Sequence, residues 1–227
     1  MDIHQRIRGE LSDLESRAQL RHLETVQGVV LSSNDYLGLA TDPRMKAAII
    51  EGVNSASRTA STGSRLLSGD DEVWAYLEHD FAQWVGAEAA LYFTSGYAAN
   101  VGLLGALLQP DDVVFSDSAN HASLIDGMRL AKCQRVIFPH LDLNYLEAEL
   151  RSHASGGGAC VIVVESIFSM EGDLAPLAEL AALAERYGAE LIVDEAHAIG
   201  VRGLSGRGLV AESGLSTRVL ATVYTCG

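Results

Sequence analysis

The segment LIVDEAHAIG, residues 191–200, ends an apolar run with two carboxylates and an imidazole, at Asp194, Glu195 and His197. Charged groups at the end of a buried strand are costly unless a cation or several hydrogen-bond donors meet them. Two kinds of site contain residues in this order: the D-E-A-H box of nucleic-acid helicases, and a site in which an aspartate holds the protonated nitrogen of a pyridine ring. A metal site would also need ligands, but no H-x-x-x-H or comparable spacing is present, so we expect no metal.

The lysines and the net charge of the chain both argue against a helicase. A helicase needs a phosphate-binding loop of the form G-x-x-x-x-G-K-[ST]. The chain contains only Lys46 and Lys132, and neither follows a glycine or precedes Ser or Thr. Its formal net charge of −14, from 30 acidic and 16 basic residues, also opposes binding to a phosphate backbone. We therefore expect no nucleic-acid partner.

A second glycine-rich segment, GLSGRG at 203–208, invites a dinucleotide interpretation. Its order is G-x-x-G-x-G rather than G-x-G-x-x-G, and no helix is predicted to begin on it. We expect a flexible loop there.

The segment FTSGYAAN, residues 93–100, places Thr94, Ser95 and Gly96 directly before a predicted helix. Free backbone N–H groups and the positive end of the helix dipole would converge there, which is typical of a phosphate site. Gly96 would let a ligand approach the backbone closely. The alternative is an ordinary helix cap of Ser and Gly.

Two more polar segments follow predicted strands. In SDSANHASLIDG, residues 116–127, His121 begins a predicted helix, where it could also be a capping or surface residue. In ESIFSMEGD, residues 165–173, Glu165, Ser169 and Asp173 could face one cleft or form a polar turn.

Together these segments supply a phosphate site, a ring-facing imidazole, a carboxylate and a second imidazole. Pyridoxal phosphate (PLP) requires such a set, because its phosphate, its ring and its pyridine nitrogen each need a partner. An ionised Asp194 would keep that nitrogen protonated, since opposite charges favour each other's charged form.

The elements that position these residues follow from hydrophobic periodicity. The first 22 residues predict an amphipathic helix, a loop SSNDYLGLATDP follows, and Pro43 begins a helix predicted to end near residue 57. A further stripe of apolar residues predicts a helix over 73–84. We expect an N-terminal helical arm and loop, 1–42, and a PLP-binding large domain, 43–227.

From residue 89 onward, strands alternate with helices. Strands are predicted at 89–93, 113–115, 136–138, 160–164, 190–193 and 219–224, and helices at 97–108, 123–132, 145–152 and 177–187. This alternation predicts an α/β fold with a mainly parallel sheet and helices on both faces. Ligands bind such sheets outside the carboxyl ends of the strands, where the polar segments lie.

Composition limits the class of protein. Hydrophobic residues make up 48% and charged residues 20% of 227 residues, which is typical of a globular protein. No apolar run approaches the roughly eighteen residues of a membrane helix, and the first twenty residues lack the apolar centre of a signal peptide. Three widely spaced cysteines form neither a disulfide framework nor a zinc site. We expect a cytoplasmic protein without a membrane partner.

Motifs along the whole chain resemble those of the α-oxoamine synthases, which are PLP enzymes of the aspartate-aminotransferase fold. They are NDYLGL (34–39), TGSRLLSG (62–69), SGYAAN (95–100), NHASLIDG (120–127), FSMEGD (168–173) and DEAHAIG (194–200). The resemblance implies a homodimer with its site at the subunit interface. It also implies a small C-terminal domain outside these 227 residues.

The resemblance implies a role for each matching residue. Gly96 and Tyr97, with Ser95, would contact the cofactor phosphate, and Thr225 would bind it from the other side. His121 would stack on the ring and face the substrate, and Asp194 would pair with the ring nitrogen. The other implied contacts are Ser169 and His197 near the phenolic oxygen, and Arg21 near the acyl substrate. Catalytic roles fall to His121, Asp194 and His197.

One departure concerns the lysine that carries the cofactor. The family motif TxGK corresponds here to TCG at 225–227, so we expect the lysine directly after Gly227 and expect residues 1–227 alone to be inactive. A cofactor-binding or assembly protein without this lysine is the non-enzyme alternative.

The family catalyses decarboxylative condensation of an amino acid with an acyl thioester. TGSRLLSG and SNDYLGL are more similar to members that condense L-alanine with pimeloyl-CoA, or a pimeloyl carrier protein, in biotin biosynthesis. They are less similar to glycine C-acetyltransferases and serine palmitoyltransferases, which stay open as alternatives.

Overall fold

The computed structural model describes residues 2–153 and 156–226. The chain divides into two units, Met1–Ser33 and Asn34–Gly227. The division predicted after residue 42 concerns where a cofactor-binding domain begins, and it stays a prediction.

Residues 2–33 of the first unit form one helix, α1 (Ile3–Ser16). The Asp2 side chain accepts a hydrogen bond from the backbone N–H of His4 and so caps its first turn. The helix ends six residues before the predicted limit at 22. Ala18 has a positive φ of 55°, a conformation that cannot continue a right-handed helix.

The described residues of the second unit form seven more α-helices. They are α2 (Pro43–Ser55), α3 (Glu72–Val85), α4 (Gly96–Leu107), α5 (Ala122–Ala131), α6 (Leu143–His153), α7 (Leu177–Tyr187) and α8 (Leu209–Glu212). Short 3-10 helices span Leu39–Thr41 and Leu204–Gly206, and a π-helical turn spans Arg65–Gly69. Within the described residues, none of the helices has the length and apolar character needed to cross a membrane.

The sheet consists of five parallel strands in the order β2-β1-β3-β4-β5. Their bounds are β1 (Val113–Asp117), β2 (Gln134–Phe138), β3 (Cys160–Glu165), β4 (Glu190–Asp194) and β5 (Ala221–Val223). Every pairing between neighbours is parallel. The predicted α/β class with a mainly parallel sheet is therefore confirmed.

The core has two parts because side chains of a strand alternate between the faces of the sheet. On β3, Val161 and Val163 pack with residues of α4 and α5. Ile162 and Val164 pack on the other face with residues of α6 and α7. Helices thus cover both faces, and the carboxyl ends of the strands stay between them.

The prediction of a strand at 89–93 was wrong. The described residues offer this segment no partner strand, so its apolar run forms no ladder. It packs instead on α3. The Tyr92 N–H donates to the Glu78 carboxylate at 2.8 Å, and its ring stacks on Trp74 at 4.8 Å between centroids.

Candidate functional site

Three carboxylates end neighbouring strands at one edge of the sheet. Asp117 ends β1, Glu165 ends β3 and Asp194 ends β4, and all three side chains are buried. Because the strands are parallel, their carboxyl ends lie at the same edge. The polar segments predicted from the sequence meet there.

Asp194 is 5% exposed and receives hydrogen bonds from neutral donors. Its Oδ1 accepts from the backbone N–H of Ala196 at 2.9 Å, and its Oδ2 accepts from Nδ2 of Asn100 at 2.7 Å. In the part of the chain that the structure describes, it forms no ion pair. A buried carboxylate of this kind suits a cationic partner supplied from outside the chain.

The adjacent Glu195 serves a different purpose. It is fully buried, and its carboxylate accepts from the backbone N–H groups of Leu209 at 3.0 Å and Val210 at 3.2 Å. Burial raises its pKa. These donors form the first turn of α8, which begins directly after GLSGRG. The expectation that no helix begins on that segment was therefore wrong, and Glu195 closes the helix end that a ligand would otherwise meet.

The beginning of α4 lies against Thr225. Ser95 caps α4 by accepting from the Ala98 N–H at 3.1 Å, and Gly96 is the first helical residue. A Cβ at Gly96 would collide with Cγ2 of Thr225. Thr225 Oγ1 also donates to the Ala196 carbonyl at 3.4 Å. The structure thus brings Ser95, Gly96 and Thr225 together beside the loop that follows Asp194.

Tyr97 follows Gly96 in the first turn of α4, but its side chain binds elsewhere. Its hydroxyl donates to the Asp126 carboxylate at 2.5 Å. This bond raises the pKa of Tyr97 and lowers that of Asp126. A phosphate contact from Tyr97 would therefore come from its backbone N–H.

His121 caps α5 and is held from two directions. Its Nδ1 accepts from the backbone N–H of Ser123 at 3.2 Å and lies 2.7 Å from the Ser123 hydroxyl. Its own backbone N–H donates to Glu165 at 2.6 Å. The ring is exposed, so a planar ligand could reach it.

Glu165 connects two of the predicted cofactor contacts. It is 2% exposed and accepts from the backbone N–H groups of His121 and, at 3.1 Å, Ser169. Burial and the nearby Asp194 raise its pKa to about 7. Of the three residues predicted to face one cleft or to form a polar turn, Glu165 and Ser169 are joined by the hydrogen bond from the Ser169 N–H. Asp173 instead lies 3.4 Å from Nε2 of His140.

A cavity of about 270 Å³ joins Ser169 to His197. The Tyr36 hydroxyl lies 2.7 Å from Nδ1 of His197 and orients its ring. The cavity is lined by Tyr36, Ile167, Phe168, Ser169, Gly172, His197 and Val201. Both residues predicted near the phenolic oxygen therefore share one cavity.

Asn100, Ser123 and Tyr36 also belong to this site, although none of them was predicted as a site residue. Asn100 follows Gly96 by one helical turn, and its polarity in an apolar helix could have indicated a buried partner. Tyr36 gave no such signal, because the chain separates it from His197 by 161 positions.

Two predictions from the sequence stay predictions. Arg21 belongs to the first unit, and its contact with an acyl substrate stays a prediction. Gly227, after which the lysine was predicted, lies outside the described residues.

The residues fit PLP in three respects. Asp194 offers a buried anion that lacks a cation, the beginning of α4 offers N–H donors beside a Thr hydroxyl, and His121 offers an exposed ring. The close approach of Gly96 to Thr225 leaves no room for a side chain at the helix end. Among the described residues, no group of three or more His, Cys, Asp or Glu side chains could hold a metal ion.

Comparison with known protein families identifies the fold. The family model for aminotransferase class I and II matches residues 26–227. The chain belongs to the aminotransferase class I and II family. This membership agrees with the parallel sheet and with the site at its carboxyl edge.

Two curated relatives of the chain carry the same description. The 8-amino-7-oxononanoate synthase of Geobacter sulfurreducens is 48% identical over 215 residues, which cover 89% of this chain and 54% of that protein. That of Lysinibacillus sphaericus is 43% identical over 197 residues, covering 87% and 50%. The chain spans about half the length of these relatives. Their names confirm the resemblance to α-oxoamine synthases.

The chain is also similar to solved protein structures. A serine palmitoyltransferase from S. paucimobilis with bound PLP and myriocin is 28% identical, with a TM-score of 0.84, covering 96% of this chain and 61% of that one. The 8-amino-7-oxononanoate synthase of Francisella tularensis is 29% identical, with a TM-score of 0.67, covering 85% and 52%.

Proposed function

We propose that this chain is the cofactor-binding part of a PLP-dependent α-oxoamine synthase. The observation that carries the proposal is Asp194, a buried carboxylate at the sheet edge that meets only neutral donors among the residues the structure describes. The PLP-bound structure of a similar serine palmitoyltransferase supports this choice of cofactor. When bound, PLP would supply a protonated pyridine ring that stabilises negative charge developing on an attached amino acid.

Each residue of the site would contribute a separate interaction. Asp194 holds the proton on the pyridine nitrogen, because its negative charge favours the cationic ring. Ser95, Gly96 and Tyr97 would bind the phosphate at the beginning of α4, and Thr225, two residues after the end of β5, would bind it as well. His121 covers the ring, and Ser169 and His197 donate hydrogen bonds near the phenolic oxygen. Arg21 would bind the acyl substrate.

The proposed reaction condenses L-alanine with pimeloyl-CoA or pimeloyl carrier protein. Its products are 8-amino-7-oxononanoate, CO₂ and the free thiol carrier, as in biotin biosynthesis. The names of the relatives, at 43–48% identity, support this choice of substrates. A lysine directly after Gly227 would carry the cofactor and move the substrate proton.

A second candidate is another reaction of the same family. Glycine C-acetyltransferase or serine palmitoyltransferase chemistry would use the same residues around the ring, and the 28% identity to a serine palmitoyltransferase favours keeping this class. The non-enzyme candidate is a cofactor-binding or assembly protein without the lysine.

The decisive experiment uses the full-length protein. Purified enzyme is incubated with L-alanine and pimeloyl-CoA, with glycine and acetyl-CoA, and with L-serine and palmitoyl-CoA, and thiol release and product mass are recorded. We expect the first pair to react fastest. Preference for another pair would overturn the assignment, and absence of turnover with bound PLP would favour the non-enzyme candidate.

We also propose a homodimer, which the fold family implies. Light scattering on the full-length protein should give twice the subunit mass. A monomer that retains full activity would contradict this.

A further inference from the structure

Two buried residues connect His121 to Asp194, although neither is expected to touch the cofactor. Nδ2 of Asn100 lies 2.7 Å from Oδ2 of Asp194 and 2.9 Å from the Ser123 hydroxyl. That hydroxyl lies 2.7 Å from Nδ1 of His121. Asn100 is 2% exposed and Ser123 is fully buried, so solvent has little access to this path.

The charge on Asp194 sets the orientation of the Asn100 amide. An ionised carboxylate only accepts hydrogen bonds, so the amide must present its NH₂ group to Oδ2. Rotating the amide by half a turn would place its oxygen against the carboxylate. In the described structure the Asn100 oxygen has no partner, which is the cost of this orientation.

The amide orientation in turn sets the direction of the Ser123 hydroxyl. The Ser123 oxygen accepts from Asn100, so its single proton is free to be donated. The acceptor within reach is Nδ1 of His121. The backbone N–H of Ser123 donates to the same nitrogen at 3.2 Å. Two donors therefore meet Nδ1.

We infer that Asn100 and Ser123 form a hydrogen-bond relay that holds His121 in the Nε2–H tautomer. The opposite tautomer would direct the Nδ1 proton at the backbone N–H of Ser123 and leave the hydroxyl proton without an acceptor. Asn100 and Ser123 are thus positioning residues that act through His121.

The consequence for catalysis rests on the proposed function. A His121 ring with its proton on Nε2 presents a hydrogen-bond donor to a bound substrate, and its basic nitrogen is occupied by Ser123. His121 would then stabilise negative charge on the substrate side and would not remove a proton there.

The tautomer can be observed without catalysis. The full-length protein, labelled with ¹⁵N-histidine, is examined by long-range ¹H–¹⁵N NMR with and without PLP, and His121→Gln identifies the signal. We expect an unprotonated Nδ1 and a protonated Nε2 in the neutral ring. A proton on Nδ1 would overturn the inference.

Two variants test the relay itself. Asn100→Asp, when ionised, presents an acceptor oxygen to Ser123, which turns the hydroxyl away from His121 and leaves the Ser123 backbone N–H as the donor to Nδ1. The share of the Nδ1–H tautomer should therefore rise. Ser123→Ala removes the hydroxyl and should give a mixture of tautomers, which keeps the test valid if Asn100→Asp does not fold. Ser118→Ala, at an exposed serine before the same helix, should change nothing. Unchanged Nε2–H tautomers in the folded variants would show that no relay operates.

The outcome is separable from that of the proposed function. The protein without PLP reports the tautomer alone, so failure to bind PLP would remove the proposed function and leave the relay intact. A wrong tautomer in a PLP-loaded, active enzyme would remove the relay alone.

Discussion

Glu165 and Asp194 are paired residues on the adjacent strands β3 and β4, and their side chains share one buried edge of the sheet. Glu165 holds the backbone of the His121 and Ser169 loops, whereas Asp194 is proposed to meet a cationic ring. Burial and the charge of Asp194 raise the pKa of Glu165 to about 7. Two carboxyl groups in one place thus have different roles.

The raised pKa of Glu165 predicts a pH dependence of stability. Its ordinary value is 4.5, so between pH 4.5 and about 7 the folded protein binds more protons than the unfolded chain. The free energy of unfolding contributed by this group therefore falls as pH rises through that window. In Glu165→Gln, which cannot ionise, this part of the decline in Tm should disappear.

The measurement is Tm against pH for the protein without cofactor. Glu165→Gln should also lower Tm overall, because the NH₂ group of the new glutamine would face a backbone N–H donor. An unpaired buried donor of this kind costs about 1–3 kcal/mol. Glu179→Gln on the exposed part of α7 is the control and should follow the wild type. An identical pH slope in wild type and Glu165→Gln would contradict the assignment.

Asp194→Asn should weaken PLP binding by at least about a hundred-fold. Removing one partner of a buried charge pair typically costs about 3–5 kcal/mol. The measurement is a titration of the protein with PLP followed by absorbance. Asp112→Asn is the matched control, because Asp112 is a buried carboxylate at the opposite ends of the strands that accepts from the N–H groups of Gln109 and Ala159. It should lower Tm and leave PLP affinity unchanged. If Asp112→Asn weakened PLP binding as much as Asp194→Asn does, the proposed role of Asp194 in PLP binding would be contradicted.

Gly96→Ala should lower PLP affinity roughly ten-fold. The added Cβ would collide with Cγ2 of Thr225 and separate the two sides of the phosphate site, and overpacking typically costs about 1–3 kcal/mol. Gly52→Ala in α2 is the control, because its Cβ meets nothing within 4 Å. It should raise stability by about 1 kcal/mol without affecting PLP. Inorganic phosphate competition with PLP provides the readout specific to this site. Unchanged competition in Gly96→Ala would be inconsistent with the proposed phosphate site.

Tyr36→Phe should reduce kcat about five-fold. The variant removes the Tyr36 hydroxyl, which lies 2.7 Å from Nδ1 of His197 and orients its ring. One such hydrogen bond contributes about 1 kcal/mol. The change should appear with saturating substrate in the full-length enzyme. Tyr187→Phe removes a hydroxyl that donates to Glu147 at 2.8 Å on the α6–α7 surface, and it should retain kcat. A wild-type kcat in Tyr36→Phe would show that His197 needs no such support.

The sequence by itself determined the alternation of strands and helices, the parallel sheet and the edge at which the site lies. These follow from local information, because hydrophobic periodicity and the direction of parallel strands need no knowledge of distant contacts. α7 was predicted at its observed bounds, and the helix predicted over 73–84 is α3, which ends before Gly86 with its φ of 78°. The segment 89–93 failed because a strand requires a partner, which its own pattern does not specify.

Only the tertiary structure decided which partner each polar side chain binds. Asp194 and Glu195 are adjacent in sequence, but their side chains leave the end of β4 in different directions, one to Asn100 and one to α8. The relay from Asn100 through Ser123 to His121 likewise joins α4 to α5 across 23 positions of the chain. Hydrogen bonds depend on distance and angle in space, and no residue pattern contains that information before the chain is folded.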